Sequence, residues 1–105
     1  VEPVVDEYKE DLDRSLGIRM QVRFERRGRE IVSYAVVLLL RTEGAVETVR
    51  VYDSAHGFNE MHRHTRAGGK QSGKLFHSGT VGEGMRAAIG DVKSGYDQMI
   101  EGWER

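Results

Sequence analysis

Cysteine is missing from the 105 residues, proline and tryptophan occur once each, and no apolar run approaches the length of about 20 residues that a membrane-crossing helix needs. Without cysteine there is no disulfide framework, no cysteine-ligated zinc module and no thiol catalysis. The short apolar runs exclude a transmembrane helix, and no signal-peptide pattern opens the residues given, so the expectation is a cytoplasmic protein with no membrane partner. Net charge is scarce as well: 16 basic groups against 17 acidic ones leave −1. That balance argues against attachment to nucleic acid through overall positive charge. Glycine, by contrast, is plentiful at 13 residues. The length suits a single domain, 1–105, with one modest core.

The neutrality is a cancellation between segments. Residues 1–16 carry six acids against two bases, a net −4; residues 17–30 carry five arginines against two glutamates, +3; residues 57–79 carry four cations against Glu60, again +3. The two basic stretches are either solvated strand edges and turns or an anion-binding surface for phosphates.

Pro3 followed by Val4, Val5, Tyr8, Leu12 and Leu16 at three- and four-residue spacing, with Gly17 as a stop, predicts an amino-terminal helix. From Ile18 the period becomes two: Ile18, Met20, Val22 and Phe24 alternate with Arg19, Gln21, Arg23 and Glu25, the pattern of a half-buried strand. Ile31 to Leu40 is an almost unbroken apolar run with the β-branched bias of a central strand, and Glu43-Gly44 turns it into a third strand, Ala45 to Tyr52. A two-residue turn there sets Val36, Leu38 and Leu40 opposite Val51, Val49 and Glu47. A three-residue loop at Arg27 to Arg29 sets Met20 and Val22 opposite Val36 and Tyr34. These registers gather Arg19, Gln21, Arg23, Ser33, Ala35, Arg50 and Tyr52 on a polar face; a two-residue first loop would flip the first strand.

Residues 53–60 read as a loop, Met61 to Arg66 as a short strand with His62, His64 and Arg66 on one face, Ala67 to Lys70 as a turn, and Lys74 to His77 as a closing strand. Thr80-Val81-Gly82-Glu83 has the form of a capping box. Behind it Val81, Met85, Ala88, Ile89, Val92, Tyr96, Met99, Ile100 and Trp103 form the stripe of a long amphipathic helix. Gly84, Gly95 and Gly102 align on its margin, which suggests close approach of another backbone, the domain's own sheet or a second subunit. The fold class is therefore α+β: an antiparallel sheet of three to five strands with an N-terminal helix and a long C-terminal amphipathic helix packed on it.

Chemical potential concentrates between Arg50 and His77. Histidine can transfer a proton near neutral pH, bind a metal or contact phosphate when charged. Metal-independent RNA cleavage needs a base, an acid and a cation for the charge on the phosphorane. His56 with His62 or His64 can supply base and acid, Arg50, Arg66 or Lys70 the cation, and Asp53 can orient an imidazole. Arg19, Arg23, Arg66 and Lys70 are candidate phosphate contacts, and Tyr52 a stacking platform for a base. No cofactor is needed for that chemistry. Alternatively His62-x-His64 with His56 and His77 could hold a divalent transition metal, or the histidines could merely satisfy hydrogen bonds.

The run Arg50-Val-Tyr52-Asp53-Ser-Ala-His56-Gly57 followed by His62-Arg-His64 resembles the TumE-like toxins of bacterial toxin–antitoxin modules and small relatives sharing the Tyr-Asp-x-Ala-His-Gly signature. The likeness covers about residues 46–64. It implies a growth-inhibiting protein restrained by a cognate antitoxin, with Arg50, Asp53, His56, His62 and His64 as the site. The expected function is thus that of a toxin–antitoxin-type ribonuclease with RNA and an antitoxin as partners, and a homodimer as its form. The alternative is a non-catalytic binding or regulatory module.

Overall fold

The computed structural model describes residues 2–105. Seven strands, β1 (Val4–Asp13), β2 (Ile18–Arg27), β3 (Glu30–Thr42), β4 (Ala45–Asp53), β5 (Asn59–Thr65), β6 (Gly69–Lys70) and β7 (Lys74–His77), precede one helix, α1 (Val81–Glu104). The strands form one antiparallel sheet in the order β1-β2-β3-β4-β5, with β6 and β7 sharing the far side of β5. Helix α1 lies on one face. Ile18, Met20 and Val22 of β2, Tyr34, Val36 and Leu38 of β3, and Val49 and Tyr52 of β4 are buried beneath its Met85, Ala88, Val92, Met99 and Trp103. The other face carries no helix.

Two expectations about the architecture are corrected: the strands number more than five, and residues 4–13 form a strand, not a helix. A step of four residues is even, so Val4, Tyr8 and Leu12 share a face in a strand as they would in a helix. Val5 and Leu16 distinguish the two, and they are 50% and 60% exposed, so no helical stripe is buried. Beside them lies β2, whose free edge offers a backbone ladder and three arginines that match the acids of β1. Arg19 Nε donates to Asp11 at 3.0 Å, Arg26 Nε to Asp6 at 3.1 Å, and Arg23 Nε lies 3.9 Å from Glu7. The −4 and +3 segments are neighbours that neutralise each other. On the helix side, Glu10 pairs with Lys93 at 3.2 Å.

The β2–β3 hairpin does close with two residues between Arg27 and Glu30, yet β2 is not flipped. A bulge leaves Val32 unmatched between Glu25–Ser33 and Arg26–Ile31, which restores the phase, and Met20 and Val22 face Leu38 and Val36. The β3–β4 turn is the expected two-residue one, with Leu40 opposite Glu47, but a second bulge at Val49 shifts the remainder of β4, so that Leu38 faces Arg50 and Val36 faces Tyr52. Tyr52 and Arg50 consequently turn to the helix face, away from the expected polar surface, and Val51 turns outward.

The helix starts as its capping box dictates. Glu83 N–H donates to Thr80 Oγ1 at 3.1 Å and Thr80 N–H to the Glu83 carboxylate at 2.8 Å, and the bond to Thr80 holds the Glu83 carboxyl below its ordinary value. Of the three aligned glycines only Gly84 abuts the sheet, where a methyl group would overlap the Asn59 side chain; nothing lies within 4 Å of a methyl at Gly102.

Candidate functional site

Strand pairing sets the site. Across the open face, Glu7, Arg23, Ala35, Asp53 and Glu60 form one row, and Lys9, Gln21, Val37, Val51 and His62 the next. Directly paired residues point to the same side of a sheet. Asp53, Glu60 and His62 are therefore collected on the face without the helix. The loop between β4 and β5 brings His56 over them: Asp53 Oδ1 accepts from Ala55 N–H at 3.1 Å, Gly57 N–H donates to Ser54 O at 3.1 Å, and Ser54 is tied to β3 by accepting Tyr34 N–H on its hydroxyl at 3.0 Å. Gly57 completes the turn at φ +84°.

Glu60 is the hub. Its Oε1 lies 2.8 Å from His56 Nδ1 and 3.1 Å from His62 Nε2, and the three side chains are 8%, 66% and 7% exposed for Glu60, His56 and His62. The room for this carboxylate comes from Gly73, where any Cβ would overlap it. The hydrogen bond from His56, aided by His62 and opposed by burial, holds the Glu60 carboxyl below the ordinary glutamate value. His62 has its other nitrogen, Nδ1, 3.0 Å from the Gln71 carbonyl. A carbonyl only accepts, so Nδ1 carries a proton, and Nε2 faces the Glu60 carboxyl group. His62 is thus fully engaged, whereas His56 spends only Nδ1 on Glu60 and leaves most of its ring in solvent.

The remaining candidates are dispersed. His64 follows His62 on the open face, opposite Lys70; burial, then Lys70 and His62, push its imidazole towards the neutral form, and its Nε2 is buried without a partner. Arg50 is on the helix face, its Nε buried and unpartnered, beside the Tyr52 hydroxyl, which burial raises and Arg50 partly brings back. Tyr52 itself is 2% exposed and meets Phe76 edge-on at 4.9 Å, so it offers no stacking surface. Arg66 caps the far end of the helix: its N–H donates to Trp103 O at 2.8 Å and its guanidinium sits 5.6 Å from the Trp103 ring centroid. Arg19 is held by Asp11, and Arg23, facing Glu7 more loosely, is the arginine in the row of the site. His77 sits in β7 opposite Asn59, its carbonyl taken by that side chain at 3.2 Å, and among the described residues the four histidines form no converging ligand set. The set that does converge is Asp53, Glu60 and His62, whose ligand atoms lie within 4.8 Å of one another.

Two residues with large roles escaped the sequence reading. Glu60 was legible only as an acid flanked by histidines four residues before and two after it. Asn59 is buried under α1, where its Oδ1 accepts from Tyr34 O–H at 2.8 Å and its Nδ2 donates to the carbonyls of His77, Gly79 and Thr80 at 3.0–3.2 Å. It fixes β5 to the helix start and so fixes the position of Glu60 next to it.

A family model described as a domain of unknown function, DUF7718, matches residues 4–105. No curated protein and no solved structure matches the chain. Among the described residues, no helix is long and apolar enough to cross a membrane.

Proposed function

The chain belongs to the DUF7718 family, a domain of unknown function, and from the geometry of the site we propose that it is a toxin–antitoxin-type protein acting on RNA, with His56 as the proton-transferring group. The observation that carries this reading is the exposed His56 ring, anchored through Nδ1 to a buried carboxylate at 2.8 Å. Such a carboxylate selects the tautomer with Nε2 unprotonated and stabilises the imidazolium that forms. In the reaction His56 Nε2 takes the ribose 2′-hydroxyl proton, the 2′-oxygen attacks phosphorus, and the P–O5′ bond breaks while water protonates the departing oxygen. The products are a 2′,3′-cyclic phosphate and a 5′-hydroxyl end. Arg23 meets the charge developing on the phosphate; Ala35, between it and Asp53, leaves the row open for a backbone to cross. His62 orients Glu60. A cytoplasmic setting and a cognate antitoxin belong to the same proposal.

The test is cleavage of a fluorescently quenched single-stranded RNA by purified protein in the presence of EDTA. His56→Ala is expected to lower the rate by about 10²–10⁴, the usual contribution of a general base. An unchanged rate in that variant, or no cleavage by the wild type, removes the proposal. Convergence of Asp53, Glu60 and His62 favours a second reading, a divalent-cation site with His62 fixed by its Gln71 bond, as metal-bound imidazoles commonly are. Metal analysis of the purified protein and thermal shift with manganese, nickel and zinc decide it; no bound metal and no shift remove it.

A further inference from the structure

At the other end of the open face, where the β1–β2 and β3–β4 turns meet, lies a groove of about 650 Å³. Its floor is apolar, made by Leu39 and the 59% exposed Val46. Lys9, Arg14, Arg19 and Arg41 form its walls with Asp11 as the sole acid, a balance of +3, and Gln21 adds an amide. Asp11 engages Arg19 at 3.0 Å and Arg14 at 3.2 Å. Lys9 and Arg41 have no ion pair among the described residues, so two cations are available to a ligand.

The wall at Arg41 is set by the backbone. Gly17 adopts φ +71°, its carbonyl accepts Arg41 N–H at 2.8 Å, and a Cβ at Gly17 would come within 2.8 Å of the Arg41 Cβ. The glycine thus lets the β1–β2 turn close directly onto β3 and holds the base of the Arg41 side chain at the rim. An apolar floor with cationic walls suits a ligand that has a flat apolar body and an anionic group. Six residues of β3, about 20 Å, separate Arg41 from Ala35 in the row of the histidine site, so the groove is a separate subsite on one continuous face.

We propose that this groove binds a nucleoside phosphate, its base on Leu39 and Val46 and its phosphate between Lys9 and Arg41. This rests on the RNA-cleavage proposal in taking the nucleotide to be part of the RNA strand whose scissile phosphate lies at His56; free nucleotides share the chemistry. Two probes separate the sources: adenosine monophosphate, which can fill the groove alone, and a fluorescent deca-adenylate RNA, long enough to reach His56. Binding is read by methyl chemical shifts of Leu39 and Val46 and by anisotropy at several salt concentrations.

For the RNA, the doubly substituted Lys9→Gln, Arg41→Gln protein is expected to bind at least tenfold more weakly. The slope of log K against log salt should become shallower by about 1.4, twice the 0.7 that each phosphate contact contributes on a single strand. Both side chains are on the surface, and unchanged circular dichroism of the variant shows that the fold is intact. Shifts with the monophosphate alone support the groove and assign it to free nucleotides, while ending its link to RNA cleavage. RNA binding that is intact in His56→Ala but weakened in the double variant supports the groove whatever becomes of the catalytic reading. RNA affinity and salt slope unchanged in the double variant, or no methyl shift with either probe, overturn the proposal.

Discussion

Replacing Gly84 by alanine sets two effects of known sign against each other. In an exposed helix, glycine to alanine stabilises by up to about 1 kcal/mol, because glycine loses more backbone entropy on folding. At Gly84 the new methyl would occupy the space of the Asn59 amide. That amide receives the Tyr34 hydroxyl and shares its two hydrogens among three carbonyls at the helix start. Displacing it breaks several bonds worth about 1 kcal/mol each and leaves buried groups unsatisfied at about 1–3 kcal/mol. After the propensity gain, the expected net loss is about 2–4 kcal/mol, or a melting temperature lower by roughly 10–20 °C for a domain of this size. Gly90→Ala is the internal control, since its methyl would meet nothing within 4 Å; it should raise stability by up to about 1 kcal/mol. Urea titration followed by helix ellipticity and Trp103 fluorescence measures both. Adding Asn59→Ala to Gly84→Ala should recover part of the loss. A Gly84→Ala protein as stable as the wild type would refute the steric argument, and two glycine variants shifted equally would reduce both to propensity.

Two further outcomes concern the site and the cap. Because Glu60 titrates below its ordinary value, its stabilising contribution is fully present above pH 4.5, the ordinary value, and fades as pH falls through the depressed one. The stability difference between wild type and Glu60→Gln should accordingly shrink in acid denaturation series as pH falls below 4.5, and a difference that grows there on acidification would contradict the linkage. Thr80→Ala removes one arm of the capping box and should cost about 1 kcal/mol, read as a lower urea midpoint with unchanged slope; no change in the midpoint would mean that Asn59 and the sheet alone hold the helix start.

The elements with one unambiguous period were legible in the amino-acid order. The alternation in Ile18 to Phe24 fixed a strand, and Thr80 with Glu83 marked the start of a helix whose stripe ends in the buried Trp103. Val4, Tyr8 and Leu12 fit both periods, and the deciding term was tertiary, the exposed ladder and arginines of β2. Tyr52 and Arg50 were placed on the wrong face because a bulge at Val49 leaves no mark in composition, yet inverts every side chain beyond it. His56, His62 and Asp53 stood out by residue type and do come together, but the carboxylate joining the histidines, Glu60, read as an ordinary loop acid. Its burial depends on the missing side chain of Gly73, thirteen positions away in a different strand connection.

The strands from β1 to β5 each pair with their neighbour in sequence, so the sheet can assemble by successive local hairpins. The helix that covers its apolar face comes after all of them. On a ribosome making about 5–20 residues per second, the 24 residues of α1 take roughly 1–5 s to synthesise. For that interval Met20, Val22, Val36 and Leu38 form a complete and uncovered apolar surface, open to chaperones or to another nascent chain. The vulnerable interval for this domain is therefore the one before its helix docks, and the last strand-to-helix junction, secured by Asn59, ends it.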